Sequence, residues 1–224
     1  MRRSWPFLLF IGVTIIHLVM IATGGPSEFT KALLMPVLLV AVLLTVFGTD
    51  RTDRWPRYRI AALVLLSIGI IASWAGDVLL GPNFLAGMGC FALAHIAYIV
   101  LFLVPASRRR IPWWALIYLV WYAILVPVLL PHLGELAIPV IIYGLVLAGT
   151  AATAMGVSRI VAWGGAAFLA SDTILAFRIF GPSMDGIIPG MWQSIAIMTL
   201  YCLGQGLIAY GIVKATRRYR PRSA

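Results

Sequence analysis

The 224-residue chain is 62% hydrophobic and only 11% charged, more apolar surface than a soluble domain of that length can hide, so lipid must be its main solvent. A formal charge of +10 would suggest nucleic acid for a soluble protein. Here the basic residues fall in short connections between apolar runs, which argues against nucleic acid as a partner and for membrane lipid. Cys90 and Cys202 sit inside apolar runs; they suggest no disulfide framework and fit no metal-ligand spacing.

A membrane-spanning helix needs about 20 mostly apolar residues. In chain order the sequence predicts eight such segments, at 5–23, 30–48, 59–80, 84–105, 112–131, 135–155, 159–180 and 190–213. The first follows Arg2-Arg3 without a small-residue cleavage site, and reads as a retained helix. Gly81-Pro82-Asn83 and Gly181-Pro182-Ser183 are turn-forming connections. The fold class expected is all-α: one polytopic bundle of eight transmembrane helices over 1–224, with a basic cytoplasmic tail over 214–224.

Charge sets the orientation. Arg2-Arg3, the 51–59 segment, Arg108 to Arg110, Arg159 and the tail from Lys214 to Arg222 alternate with connections carrying Glu28, Glu135 and Asp185. This is the positive-inside pattern. It puts both termini in the cytoplasm of a bacterial-type inner membrane, with fifteen of the seventeen Lys/Arg residues on that side and only Lys31 and Arg178 off it.

Two carboxylates, Asp77 and Asp172, lie inside apolar segments. A carboxylate at membrane depth costs several kcal/mol unless it is paired, wet or protonated. With a rise of about 1.5 Å per residue, Asp77 falls roughly 5 Å and Asp172 roughly 12 Å below the outer ends of their segments. By the same count, His95, Tyr143 and Tyr201 fall at roughly 12–16 Å and Gln205 one turn deeper, while Lys31 sits at an outer helix start. These groups converge in depth; lateral convergence is not encoded in such a count.

Two carboxylates around a scissile C–O bond suit acid/base hydrolysis, one donating a proton while the other activates water or steadies a cation. Each aspartate has a plainer reading as a hydrogen-bonding group between helices, with Ser73 and Ser171 nearby. Lys31 can serve as counter-ion or phosphate ligand, or snorkel to water. His95 can pass protons or act as a buried hydrogen-bonding group. Tyr143, Tyr201 and Gln205 suit headgroup, water or interhelical bonding equally. Arg178 reads as an interface anchor, and His17 and His132 as residues without a functional partner. A metal on Asp77, His95 and Asp172 is a further chemical option. Signatures of zinc proteases, serine hydrolases and P-loop proteins are absent from the sequence.

Lys31 in Thr30-Lys31-Ala32-Leu33-Leu34-Met35-Pro36, then Gly76-Asp77, then Phe91 through His95 to Tyr98, form an ordered set of motifs. Gly165-Ala166, Phe168, Ser171-Asp172 and Leu175-Ala176, followed by Tyr201 and Gln205, continue it. In order, spacing and helix placement this set resembles the YhhN family of membrane proteins from the second segment to the eighth. Ala32 departs from a proline common in the family, a change that touches the helix start.

The family's animal members are lysoplasmalogenases. The resemblance therefore implies a hydrolase that cleaves the vinyl-ether bond of a lysophospholipid substrate, giving a fatty aldehyde and glycerophosphoethanolamine or glycerophosphocholine, with no cofactor. It marks Asp77 and Asp172 as the acid/base pair, with Lys31, His95, Tyr143, Ser171, Tyr201 and Gln205 as pocket residues. The main competing reading is a proton-coupled carrier of lipid or small solute built on the same buried groups, and a cation-dependent lipid hydrolase is a third.

Overall fold

A computed structural model describes residues 5–48, 55–106, 109–181 and 188–218. Arg2-Arg3, Arg51, Arg54, Arg108, Pro182-Ser183, Asp185 and the chain beyond Arg218, all used above to read turns and charge, lie outside the described residues. Among the described residues there are eight α-helices and no strand: α1 Pro6–Ala22, α2 Ser27–Phe47, α3 Arg57–Leu79, α4 Phe84–Leu103, α5 Ile117–Leu133, α6 Ala137–Ala154, α7 Arg159–Phe180 and α8 Gly190–Arg218. The protein is an all-helical integral membrane bundle. Six of its apolar stretches have the length and composition to cross a membrane, while Pro6–Ala22 is shorter; Trp113–Ala154 is one apolar stretch of 42 residues that contains both α5 and α6.

Local chemistry sets the boundaries. Asn83 and Ser158 cap α4 and α7, accepting from Ala86 N at 3.0 Å and from Val161 N at 3.3 Å. Gly24 and Gly134 take positive φ at the α1–α2 and α5–α6 turns, a conformation that L side chains disfavour. Pro112 precedes a single 3-10 turn at Trp113–Leu116, so α5 starts five residues later than its apolar run at 112. At the other extreme, α8 has 29 residues and a length of about 43 Å, beyond the hydrocarbon core of about 30 Å. It carries the helix through Lys214, five residues past the apolar run predicted to end at 213.

Pro36 lies inside α2 and has no N–H, which orphans the carbonyl of Ala32 one turn earlier. The Trp74 indole N–H of α3 donates to that oxygen at 3.0 Å. An interior proline is thus accommodated by a neighbouring helix, and the same bond joins α2 to α3.

Glycines let helices approach closely. A Cβ on Gly164 of α7 would stand 3.0 Å from the Gly204 carbonyl of α8, and one on Gly204 would stand 3.0 Å from the Gly164 carbonyl. α8 also touches α1, α2 and α3, which makes it the central post of the bundle, whereas among the described residues α5 packs mainly on α6 and α7. Close packing of this kind is what holds membrane helices together, since lipid is as apolar as the helix faces.

Gly69 of α3 lies against the fully buried Tyr98 ring of α4, and a Cβ there would collide with that ring. Tyr98 cannot retreat without breaking its hydroxyl bond to Gln205 Oε1 at 2.7 Å. Gly69→Ala should therefore destabilise by about 1–3 kcal/mol from overpacking. A lower melting temperature in detergent is the expected result, and an unchanged one would refute this account of the α3–α4 contact.

Candidate functional site

Both aspartates line one cavity of about 560 Å³, within the range of small-molecule sites. α3 supplies Asp77, α7 supplies Asp172 and Ser171, α6 supplies Tyr143, α8 supplies Tyr201, and α2 supplies Lys31. Five helices thus bring six of the eight residues singled out in the sequence to a common space, the lateral convergence that depth alone did not reveal.

Each carboxylate is held by a tyrosine from a different helix. Tyr201 donates to Asp77 Oδ2 at 2.7 Å, and Tyr143 donates to Asp172 Oδ2 in a short hydrogen bond. One oxygen of each carboxyl is thereby fixed, an arrangement that orients the group without consuming its second oxygen. Ser171, beside Asp172, donates to the Ile197 carbonyl at 2.9 Å and fastens α7 to α8.

The Gly76-Asp77 pair has a packing reason. A Cβ at Gly76 would come within 2.7 Å of the Phe91 ring; its absence lets Phe91 lie flush on α3. Phe91 in turn meets Tyr201 edge-on with ring centroids 6.1 Å apart, and Phe168 meets Tyr201 from another side at 5.3 Å. The two rings hold Tyr201 where its hydroxyl reaches Asp77.

His95 and Gln205 do not line the cavity; they stand behind its wall. His95 is fully buried, 4.6 Å from the Phe168 ring centroid, with Nε2 3.4 Å from the Tyr143 hydroxyl. Tyr143 has one proton and Asp172 receives it, so the contact requires His95 to donate from Nε2. Its Nδ1 has no hydrogen-bond partner among the described residues. Gln205 accepts from Tyr98 and donates to Ser73 Oγ at 2.8 Å, closing a fully buried link between α4, α8 and α3. Asp77 stands one turn beyond Ser73 on α3, so this link stiffens the helix segment that carries the carboxylate.

Five polar residues were given no site role in the sequence and yet line the cavity: His17, Ser27, Glu28, Arg178 and Ser194. His17 of α1 is almost completely buried and pairs through Nδ1 with Thr30 Oγ1 at 2.8 Å. The signal for it was the same as for His95, an imidazole inside an apolar helix. Arg178 donates to Ser194 Oγ on α8. Among the described residues no three of His, Cys, Asp and Glu gather closely enough to hold a metal ion. The ligand set Asp77, His95 and Asp172 is therefore not assembled, because His95 turns to Tyr143 behind the wall.

The YhhN family model matches residues 27–212, most of the chain, including the two aspartates and their tyrosines. The chain belongs to the YhhN family. It is similar to the lysoplasmalogenase TMEM86B of Rattus norvegicus, at 27% identity over 183 residues, covering 80% of this chain and 73% of that protein. The TMEM86B lysoplasmalogenase of Mus musculus is 27% identical over 184 residues, covering 80% of this chain and 75% of its own length. No solved structure matches the chain.

Proposed function

We propose that this YhhN protein is an intramembrane hydrolase that cleaves the vinyl-ether bond of lysoplasmalogens, releasing a fatty aldehyde and glycerophosphoethanolamine or glycerophosphocholine. The observation that carries the reading is the pair of tyrosine-anchored carboxylates facing one cavity in a chain similar to two lysoplasmalogenases.

The chemistry follows from what a vinyl ether needs. Asp172, which lies eight residues from the end of α7 and about 12 Å deep, carries a proton and transfers it to the alkenyl carbon distal to oxygen. The C=C electrons form that C–H bond, and the carbon next to oxygen becomes an oxocarbenium ion. Asp77, ionised, steadies this cation in a water-poor site where such a charge counts for more than in water. Water then adds to the cationic carbon and gives up a proton to the Asp172 carboxylate, restoring it. Collapse of the resulting hemiacetal moves a proton from its hydroxyl to the departing glycerol oxygen and breaks the C–O bond. Net, one water is consumed, both carboxyls return to their starting states, and no external acid, metal or organic cofactor enters the balance.

Lys31 lines the cavity from α2, and it is the cation assigned here to the lysolipid phosphate. Lys31→Ala should raise KM about ten- to a hundredfold, the range for a lost charge-assisted contact, with a much smaller change in kcat. An unchanged KM would remove Lys31 from headgroup binding. In the same reading the chain is a single domain of eight spans in a bacterial-type inner membrane, with both termini and the basic tail in the cytoplasm. Cysteine accessibility at the two ends in intact and permeabilised cells tests that orientation.

Purified protein in detergent decides between this reading and a carrier. A hydrolase releases aldehyde without two compartments, as mass spectrometry of the products would record. Failure to release aldehyde from alkenyl lysophosphoethanolamine or lysophosphocholine would end the proposal. Activity surviving exhaustive chelation would dispose of a cation-dependent hydrolase.

A further inference from the structure

A second, smaller cleft of about 40 Å³ lies between α5, α6 and α7. Its lining is mostly apolar: Trp121, Leu125, Leu129, Leu133 and Leu147 face it, Asp172 stands at its border, and Tyr122 and Tyr143 contribute the other polar groups. Asp172, Tyr143, Val140 and Ala176 line both this cleft and the large cavity. The boundary between a polar chamber and an apolar one therefore runs through the Tyr143–Asp172 pair.

That boundary matches the chemistry of an amphiphile cut at its junction. In a lysoplasmalogen the vinyl ether is the bond between the polar glycerophosphate and the hydrocarbon chain. With the headgroup on the Lys31 side and the reacting carbon at Asp172, the first methylenes must leave on the other side of Asp172. We propose that the α5–α6–α7 cleft is the hydrocarbon-chain subsite, which accepts the alkenyl tail as it passes Tyr143 and so sets the scissile bond at Asp172. This rests on the hydrolase reading of the same cavity for its choice of ligand.

Size gives the cleft a second property. At about 10–15 Å³ for each water-sized group, its volume takes about three methylenes, so a longer tail must displace a wall. α5 is the wall placed to yield. Among the described residues it packs mainly on α6, with a smaller contact to α7, Pro127 and Pro131 each remove a backbone bond within it, and Ile124, Val128 and Leu130 of its outer face are exposed to lipid. A tail parting α5 from α7 reaches the bilayer directly, giving the substrate a lateral way in. Because lipid is as apolar as the cleft, seating the tail there adds little binding energy. What it fixes is register, the position of one bond along a featureless chain.

The test uses a saturated-ether lysophosphoethanolamine, which lacks the vinyl bond, carrying a diazirine either beside the glycerol or, as the far probe, on the fifth carbon of the chain. After irradiation with the purified wild-type protein in detergent, adducts of the near probe should map to α3, α7 and α8 around the cavity. Adducts of the far probe should map to α5 and α6, competed by excess unlabelled lysolipid. Far-probe adducts concentrated on α1 or α2, or spread evenly over lipid-facing helices without competition, would overturn the subsite. As a second measurement, Leu147→Trp fills the cleft. The ratio of kcat/KM for a hexadecenyl over a butenyl substrate should fall by about tenfold or more, and an unchanged ratio overturns the proposal. The cross-link needs no hydrolysis, so the two readings fail separately. Far-probe labelling of α5 and α6 without aldehyde release from the vinyl ether keeps the subsite and removes the hydrolase; aldehyde release with labelling elsewhere does the reverse.

Discussion

Asp172→Asn should reduce kcat by about 10²–10⁴, the range for loss of a positioned general acid. Asparagine keeps the size of the side chain and an oxygen that can accept the Tyr143 hydroxyl, whose bond to Oδ2 anchors the native carboxyl. The α6–α7 contact therefore survives, and the melting temperature in detergent should stay close to that of the wild type. What is lost is a proton that can be handed to carbon, since an amide N–H is far too weak an acid. Wild-type turnover should also slow in D₂O, because proton transfer to carbon limits vinyl-ether hydrolysis. Wild-type activity in a folded Asp172→Asn protein would transfer the acid's role elsewhere. Loss of both activity and melting temperature would mark Asp172 as a structural bond between helices.

Much of this site was legible because the membrane makes polar residues conspicuous. Asp77, Asp172 and Lys31 stand out against apolar runs by the penalty they incur there, and all three reach one cavity. Helical rise then gave their depth. Azimuth was the missing coordinate: His95, Tyr143 and Tyr201 fall at similar depths, yet His95 stands behind the wall while the two tyrosines form it. A helix's rotation about its axis is set by packing such as Gly76 on Phe91 and Gly164 on Gly204. Those contacts join residues from different helices, and no single apolar run records them.

The same limit explains His17. Its chemistry resembles that of His95, but its partner Thr30 sits at the start of another helix, so nothing in the first segment alone pointed to a contact. Helix ends divided along similar lines. Caps such as Asn83 and Ser158 act locally and could be read, whereas the extra turns of α8 beyond the apolar run depend on where lipid stops. Together these cases separate two kinds of information. Composition along the chain fixed which groups are costly in lipid, and helix packing decided which of them meet.

Asp77→Asn tests the other half of the pair and should lower kcat by about 10²–10³, the scale for removing one electrostatic contact to a developing charge. Tyr201 can still donate to the amide oxygen in place of Asp77 Oδ2, and Phe91 still braces Tyr201 against α3. The geometry thus persists while the negative charge disappears. The ground-state substrate is uncharged at the enol ether, so KM should change little; the cation exists only after proton transfer, and the loss belongs in kcat. Fluorination beside the enol carbon makes that cation harder to form, and it should slow Asp77→Asn at least as much as the wild type, because the variant has no anion to offset the charge. The double variant supplies the sharper criterion. Two carboxyls that serve one transition state are not independent, so Asp77→Asn with Asp172→Asn should be scarcely slower than Asp172→Asn alone. Losses that multiply, or a rise in KM carrying most of the Asp77→Asn effect, would assign Asp77 to substrate binding and leave the oxocarbenium ion without its counter-charge.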